Sequence, residues 1–200
     1  GCKKAQLLFT CPAGSVAEEY AKSHKIKIAG AQKDSNDPAA TFSYTVSKNK
    51  TVKISAYIAR ESKVTIPGTI EGCPVVAFNK DVFKNNKKIT SVIWPASIPV
   101  IPKEIFFGCT ALKEIIIPNT VTEIGESAFA YLEHLKDITI PDSVTHIKEK
   151  AFNYCTRLES VSLGSSVRKL EDGVFEECKS LDDSFQSPPS SLKLSAQFFH

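Results

Sequence analysis

The sequence lacks most of what a membrane span or an active site demands. None of its 200 residues fall in an apolar run approaching the ~18–20 needed to cross a bilayer as a helix. No secretory apolar segment opens it. It contains no methionine, and so no initiator, and is expected to be a processed or truncated product. No G-x-S-x-G, H-E-x-x-H or phosphate-binding glycine loop is present. There is no C-x-x-C, and none of His24, His134, His146 and His200 holds a metal-ligand spacing to a cysteine. No cofactor and no metal site are therefore expected, and the chain does not read as an enzyme. Charge of one sign is missing too, since 25 basic residues meet 22 acidic ones for a net +3. Nucleic-acid binding would require Lys and Arg clustered on one face. The densest basic stretch, Lys80, Lys84, Lys87 and Lys88, reads as a solvated face. The carboxylate pairs Glu176–Glu177 and Asp182–Asp183 read as solubilising charge.

What the sequence has is a period. Phe83, Phe106, Phe129, Phe152 and Phe175 stand 23 residues apart. Leu112, Leu135, Leu158 and Leu181 keep the same step, with Ile89 ahead of them, as do Ile101, Ile124, Ile147 and Leu170. Pro95, Pro118 and Pro141 form a further column, with Gly164 in its fourth slot. A fixed period of this length marks a solenoid, in which one short unit stacks on copies of itself. Four rungs run 90–112, 113–135, 136–158 and 159–181. An earlier rung, 62–89, is 28 residues long, its extra residues lying around Glu71 to Val75.

Each rung opens on an alternating segment such as Ile115-Ile116-Ile117, which places Ile115 and Ile117 on one face and Ile116 on the other. Pro118 removes a ladder donor and ends the strand. A second short extended piece follows, Val121 to Ile124, then a single helical or 3-10 turn over Glu126 to Leu132 that points Phe129 inward. Strands of successive rungs are expected to pair in parallel. Cys109, Cys155 and Cys178 share one column with Asn86 and Leu132. Cys155 and Cys178 fall on adjacent rungs, within reach of a disulfide, but free buried thiols are the favoured reading.

These columns resemble the leucine-rich repeats of the BspA-like (Treponema pallidum-type) family: a strand ending in I-P, then S-V-x-x-I, then A-F-x-x-C-x-x-L. In this chain the pattern stands as ITIPDSVTHIKEKAFNYCTRL. The resemblance covers 62–181. It implies an α/β repeat solenoid, a leucine-rich repeat right-handed superhelix that is β-rich, with parallel strands lining a concave face. It also implies a surface-exposed or secreted bacterial protein, some relatives acting in adhesion to host extracellular proteins. Residues 41–60, with Phe42, Tyr44 and Val46 before the Ser47–Lys50 turn and Val52 and Ile54 after it, read as a β-hairpin that caps the first rung. The five repeats are placed at 61–181, and 182–200 as a terminal repeat that is either degenerate or cut short. In that terminal stretch Pro189 to Leu192 echoes Pro141 to Val144. Upstream, 1–30 resembles the tail of a preceding array, with a capping box Ser15 to Glu18 opening a short helix to about His24, and 31–40 is a linker. Cys2 before Lys3 and Lys4 is open to two readings, a lipid-anchor residue or a repeat position.

The functional candidate is the outward face of the main strands. Alternation puts Thr65, Ile93, Ile116, Thr139 and Ser162 there, and two residues earlier Lys63, Ser91, Glu114, Asp137 and Ser160. Ile93 and Ile116 would form an apolar patch with a polar rim, a surface suited to protein binding. The same β-branched residues also suit a strand for its own sake. The expected function is a non-enzymatic cell-surface or extracellular protein that binds another protein, with no nucleic acid and no membrane span. The alternative is a structural spacer with no ligand of its own. The insertion around Glu71 to Val75 is a second candidate surface, and Trp94 is assigned to the core.

Overall fold

The computed structural model describes residues 41–181 and 193–194. The readings of 1–40, and those of 182–200 apart from one strand, lie outside these residues. The chain divides into two units, Gly1–Thr41 and Phe42–His200, and the second is a β-solenoid of stacked turns.

Each rung contributes two short strands. The first strands are β3 (Lys63–Thr65), β6 (Ser91–Ile93), β8 (Glu114–Ile116), β10 (Asp137–Thr139) and β12 (Ser160–Ser162). The second strands are β7 (Val100–Ile101), β9 (Glu123–Ile124), β11 (His146–Ile147) and β13 (Lys169–Leu170), followed by β14 (Lys193–Leu194). Strands of like kind pair in parallel at the sequence period, so Ser91 lies beside Glu114, and Glu123 beside His146 and then Lys169. The second ladder runs without a break from β7 to β14. The first ladder splits into β3-β6-β8 and β10-β12.

Between these ladders the core is built from columns. The five period phenylalanines are each no more than 3% exposed. Their rings stack face to face at 5.1, 5.7, 5.1 and 5.5 Å along the array. Each such pair adds ~0.5–1.5 kcal/mol beyond the area it buries. Trp94 is also inside, 2% exposed, with its indole N–H donated to the Ile98 carbonyl at 3.0 Å. Cys73, Cys109, Cys155 and Cys178 are free thiols.

No helix lies within the described rungs, and in place of the expected helical or 3-10 turn over Glu126 to Leu132 there are only isolated i→i+3 bonds, from Ala128 to Gly125 and from Ala130 to Ser127. The reason is visible in the backbone. Two positions per rung are left-handed: Asp81, Glu104, Ser127, Lys150 and Gly173 in one column, and Asn85, Gly108, Tyr131, Tyr154 and Glu177 in the other, with φ between 51° and 68°. N–H groups alternate in destination. Ala128 and Ala130 donate back within the rung to Gly125 and Ser127, whereas Ser127, Phe129 and Tyr131 donate to Glu149, Ala151 and Asn153 of the next rung. A helix would spend every N–H on its own carbonyls; here half of them stitch rungs together. That exchange offsets the ~1–2 kcal/mol a non-glycine residue costs in the left-handed region.

The N-terminal strands β1 (Phe42–Val46) and β2 (Val52–Tyr57) form an antiparallel hairpin closed by Ser47 and Thr51. In the first rung the insertion folds into β4 (Thr69–Ile70) and β5 (Cys73–Phe78), antiparallel across a Glu71-Gly72 turn whose residues both have positive φ. β5 then takes β2 as a parallel neighbour, and Asn79 donates to Ile54 as Gly125 does to Ile101. β2 therefore stands where the second strand of a preceding rung would stand. On its other side β5 does not join β7. Thr122 and Gly125 supply the N–H groups that tie β9 to the rung before it. One period earlier those positions are Pro99 and Pro102, which have none to give.

Candidate functional site

The outward face of the first strands carries every residue singled out there. Thr65, Ile93, Glu114, Ile116, Asp137, Thr139, Ser160 and Ser162 are exposed and Ser91 is half-buried. Parallel register brings Thr65, Ile93 and Ile116 into one row and Ser91 and Glu114 into the next. Asp137 and Thr139 line up likewise with Ser160 and Ser162. Ile93 is 40% exposed and Ile116 47%, while their neighbours Val92 and Ile115 face the core. The two groups meet at the break between β8 and β10.

A groove of about 690 Å³ opens at that break. Its walls include Lys113, Glu114 and Ile116 on one side and Asp137 and Thr139 on the other, with Ser162 beyond and Asn119 and Asp142 at the strand ends. The break coincides with a change in the row containing Glu114. Elsewhere in it a charged residue meets serine: Lys63 beside Ser91, Ser91 beside Glu114, Asp137 beside Ser160. Only at β8 and β10 do two carboxylates fall one period apart, and like charges opposite each other on a ladder destabilise it. The Glu114 carboxylate turns away to accept from the Ser91 hydroxyl at 3.1 Å. Asp142 is engaged by the Ser165 N–H and hydroxyl, which hold its carboxyl below the usual range.

The opposite ladder carries charge in pairs. His146 stands between Glu171, to which Nε2 donates at 2.8 Å, and Glu123, whose carboxylate lies 3.7 Å from Nδ1. Lys169 and Lys148 complete the row at 2.8 and 2.7 Å from Glu171 and Glu123. His146 is thus half-buried in a cross-rung ionic row. His134 is exposed and donates Nδ1–H to the Thr110 carbonyl at 2.6 Å. Among the described residues no group of three or more His, Cys, Asp or Glu is placed to hold a metal, and no helix is long and apolar enough to cross a membrane.

Two features escaped the sequence reading. The groove is one; its signal was the coincidence of Glu114 and Asp137 at the period. The other is a surface aromatic cluster, in which the exposed rings of Tyr131 and Tyr154 stack at 4.8 Å and the half-buried Phe107 meets Tyr131 at a tilt, 5.0 Å away.

A stack of parallel two-strand rungs around aligned Phe, Ile and Leu columns defines a leucine-rich repeat scaffold, a class that presents surface rather than enclosing a reaction centre. Residues 76–200 match six copies of the BspA type leucine rich repeat region, and the chain belongs to that family. The leucine-rich repeat protein of T. pallidum is similar at 31% identity and a TM-score of 0.66, over 72% of this chain and 68% of that one. A leucine-rich repeat protein of Bacteroides ovatus aligns at 29% identity and a TM-score of 0.56, over 70% of this chain and 44% of that one. One from Bacteroides capillosus aligns at 26% identity and a TM-score of 0.54, over 62% of this chain and 94% of its own. No functionally curated protein matches the chain.

Proposed function

We propose that this chain is a non-enzymatic, surface-exposed or extracellular bacterial repeat protein that binds another protein through the outward face of its first strands. The observation that carries this reading is the in-register pair Ile93 and Ile116, 40% and 47% exposed on adjacent strands and flanked by Thr65, Ser91 and Glu114. Scattered exposed apolar residues are normal on any surface. Two aligned ones inside a polar rim have the anatomy of a docking patch. Family membership supports the scaffold role, and the partner class is an extracellular protein, host matrix and plasma proteins included. The hairpin β1–β2 is proposed to act as the cap of the array, since β2 fills a second-strand position and leaves the first rung covered.

The test is biolayer interferometry of the protein against a panel of matrix and plasma proteins, beside Ile93→Glu/Ile116→Glu and Ile93→Thr/Ile116→Thr. Both variants are expected to fold, and both to lose binding at least about tenfold. Threonine keeps the strand propensity, so loss in that variant assigns the isoleucines to the partner. Binding kept in both moves the site off this face; no binding by any form favours the spacer.

A further inference from the structure

The break between β8 and β10 suits one kind of ligand better than any other part of the surface. We propose that it is the seat of an arginine side chain carried by an extended segment of the partner protein. This rests on the protein-binding reading above and names the chemistry of its centre. Three observations converge. Glu114 and Asp137 flank the break one period apart, and the Asp137 carboxylate has no hydrogen-bond or ion-pair partner among the described residues. A planar guanidinium has donors on two edges and bridges two carboxylates. Ile116, 47% exposed on the groove wall, offers an apolar bed for the methylenes of the side chain.

The third observation concerns the backbone. Along the unbroken part of this ladder, Lys113 donates to Thr90, Trp94 to Ile116, Glu159 to Lys136 and Ile140 to Ser162. The equivalent partnerships of Lys136 with Lys113 and of Ile117 with Thr139 belong to no ladder. By the alternation of a parallel sheet, Ile115 and Ile117 on one side and Asp137 and Thr139 on the other turn N–H and C=O groups into the break. An extended peptide lying over it brings the matching donors and acceptors, which a small cation does not. The groove, at about 690 Å³, has room for a few residues.

The experiment uses the whole chain and three labelled, acetylated pentapeptides alternating valine with arginine, lysine or glutamate. Affinity is read by fluorescence anisotropy at two salt concentrations, and the contacted amides by hydrogen exchange. The arginine peptide is expected to bind tightest, with the glutamate peptide at least about tenfold weaker. Glu114→Gln/Asp137→Asn should cost about tenfold, and Glu149→Gln/Glu177→Gln, an equal charge change at residues outside the groove, less than about threefold. Ile115, Ile117 and Thr139 amides should gain protection. Equal loss in both variants, no preference for arginine, or protection elsewhere overturns the proposal. Were the matrix panel silent while the arginine peptide bound here, the seat would stand and the choice of partners would fall. Were a panel protein lost in the isoleucine variants yet indifferent to Glu114→Gln/Asp137→Asn, and the peptide equally so, the face would stand and the seat would fall.

Discussion

At the scale of single residues, stability rests on columns rather than on individual contacts. Phe129 has a ring on either side, at 5.7 and 5.1 Å, and is fully buried. Replacing it with alanine leaves a hole bounded by two rungs, and Phe129→Ala is expected to cost about 3–5 kcal/mol in urea unfolding. The cysteine column is inert by design of its surroundings. Burial pushes the Cys109 thiol up to about 11, and its S–H donates to the Phe83 carbonyl at 2.9 Å. Burial likewise raises Cys155 well above the usual thiol range. Alkylation at pH 8 with peptide mapping should mark Cys73, which is half-buried, long before Cys109 or Cys155. Early labelling of Cys109 would contradict the packing.

Glu171 contributes to the acid limb of stability. The Lys169 ammonium first, then His146 and the Glu149 N–H, hold its carboxyl down to about 2 from an ordinary 4.5. The folded form therefore resists protonation that the unfolded chain accepts. This contribution is whole above about pH 4.5 and is lost as pH falls through about 2. Thermal unfolding of Glu171→Gln should show lower stability at neutral pH and a shallower decline across that window than the parent. Parallel curves would mean the ionic row contributes nothing.

At the scale of elements, two interruptions shape the array. The second ladder stops ahead of β7, where Pro99 and Pro102 stand, and the first stops behind β8, between Glu114 and Asp137. Asp137→Ser would set a hydroxyl beside Glu114, the pairing already found between Ser91 and Glu114. The ladder should then close, and hydrogen exchange at the Ile117 and Lys136 amides should slow; unchanged rates would show that the carboxylates are not the cause. The rungs themselves were legible in the sequence, because Phe83 to Phe175 and the I-P columns repeat side chains, and side-chain columns are what a period displays. Alternation likewise placed Ile93 and Ile116 outward and Trp94 inward. Pairing between neighbours was not legible, since strands with identical patterns either bond or stand apart, and the difference lies in two prolines and two carboxylates read across rungs. The left-handed columns hid behind their composition: Asp81, Ser127, Lys150 and Tyr154 share no side-chain chemistry, only a backbone shape. The missing helix follows from the same blindness, for a segment such as Glu126 to Leu132 suits a helix until its N–H groups are claimed by the next rung.

At the scale of the whole molecule, a constant period means that rungs are interchangeable parts, with stability close to a sum over rungs and their interfaces. Deleting 136–158 tests this and the break together. The deletion joins Leu135 to Glu159, as Leu135 is joined to Lys136 and Leu158 to Glu159 in the parent. It would bring Phe129 against Phe175, Glu123 beside Lys169, and Glu114 beside Ser160, so no like-charge pair remains in the first ladder. The shortened chain is expected to unfold in one cooperative transition, with an m-value lower by roughly a tenth, in proportion to the surface removed. Its first ladder should run from β3 through β6 and β8 to β12 without interruption, and the Ile117 amide should exchange more slowly than in the parent. The arginine peptide should lose its seat in the same protein, because the break and Asp137 leave together. A deletion variant that loses cooperativity would show that this rung carries something its neighbours lack. One that folds but still exchanges rapidly at Ile117 would place the cause of the break in β8 itself, and would remove the electrostatic account of why the groove is where it is.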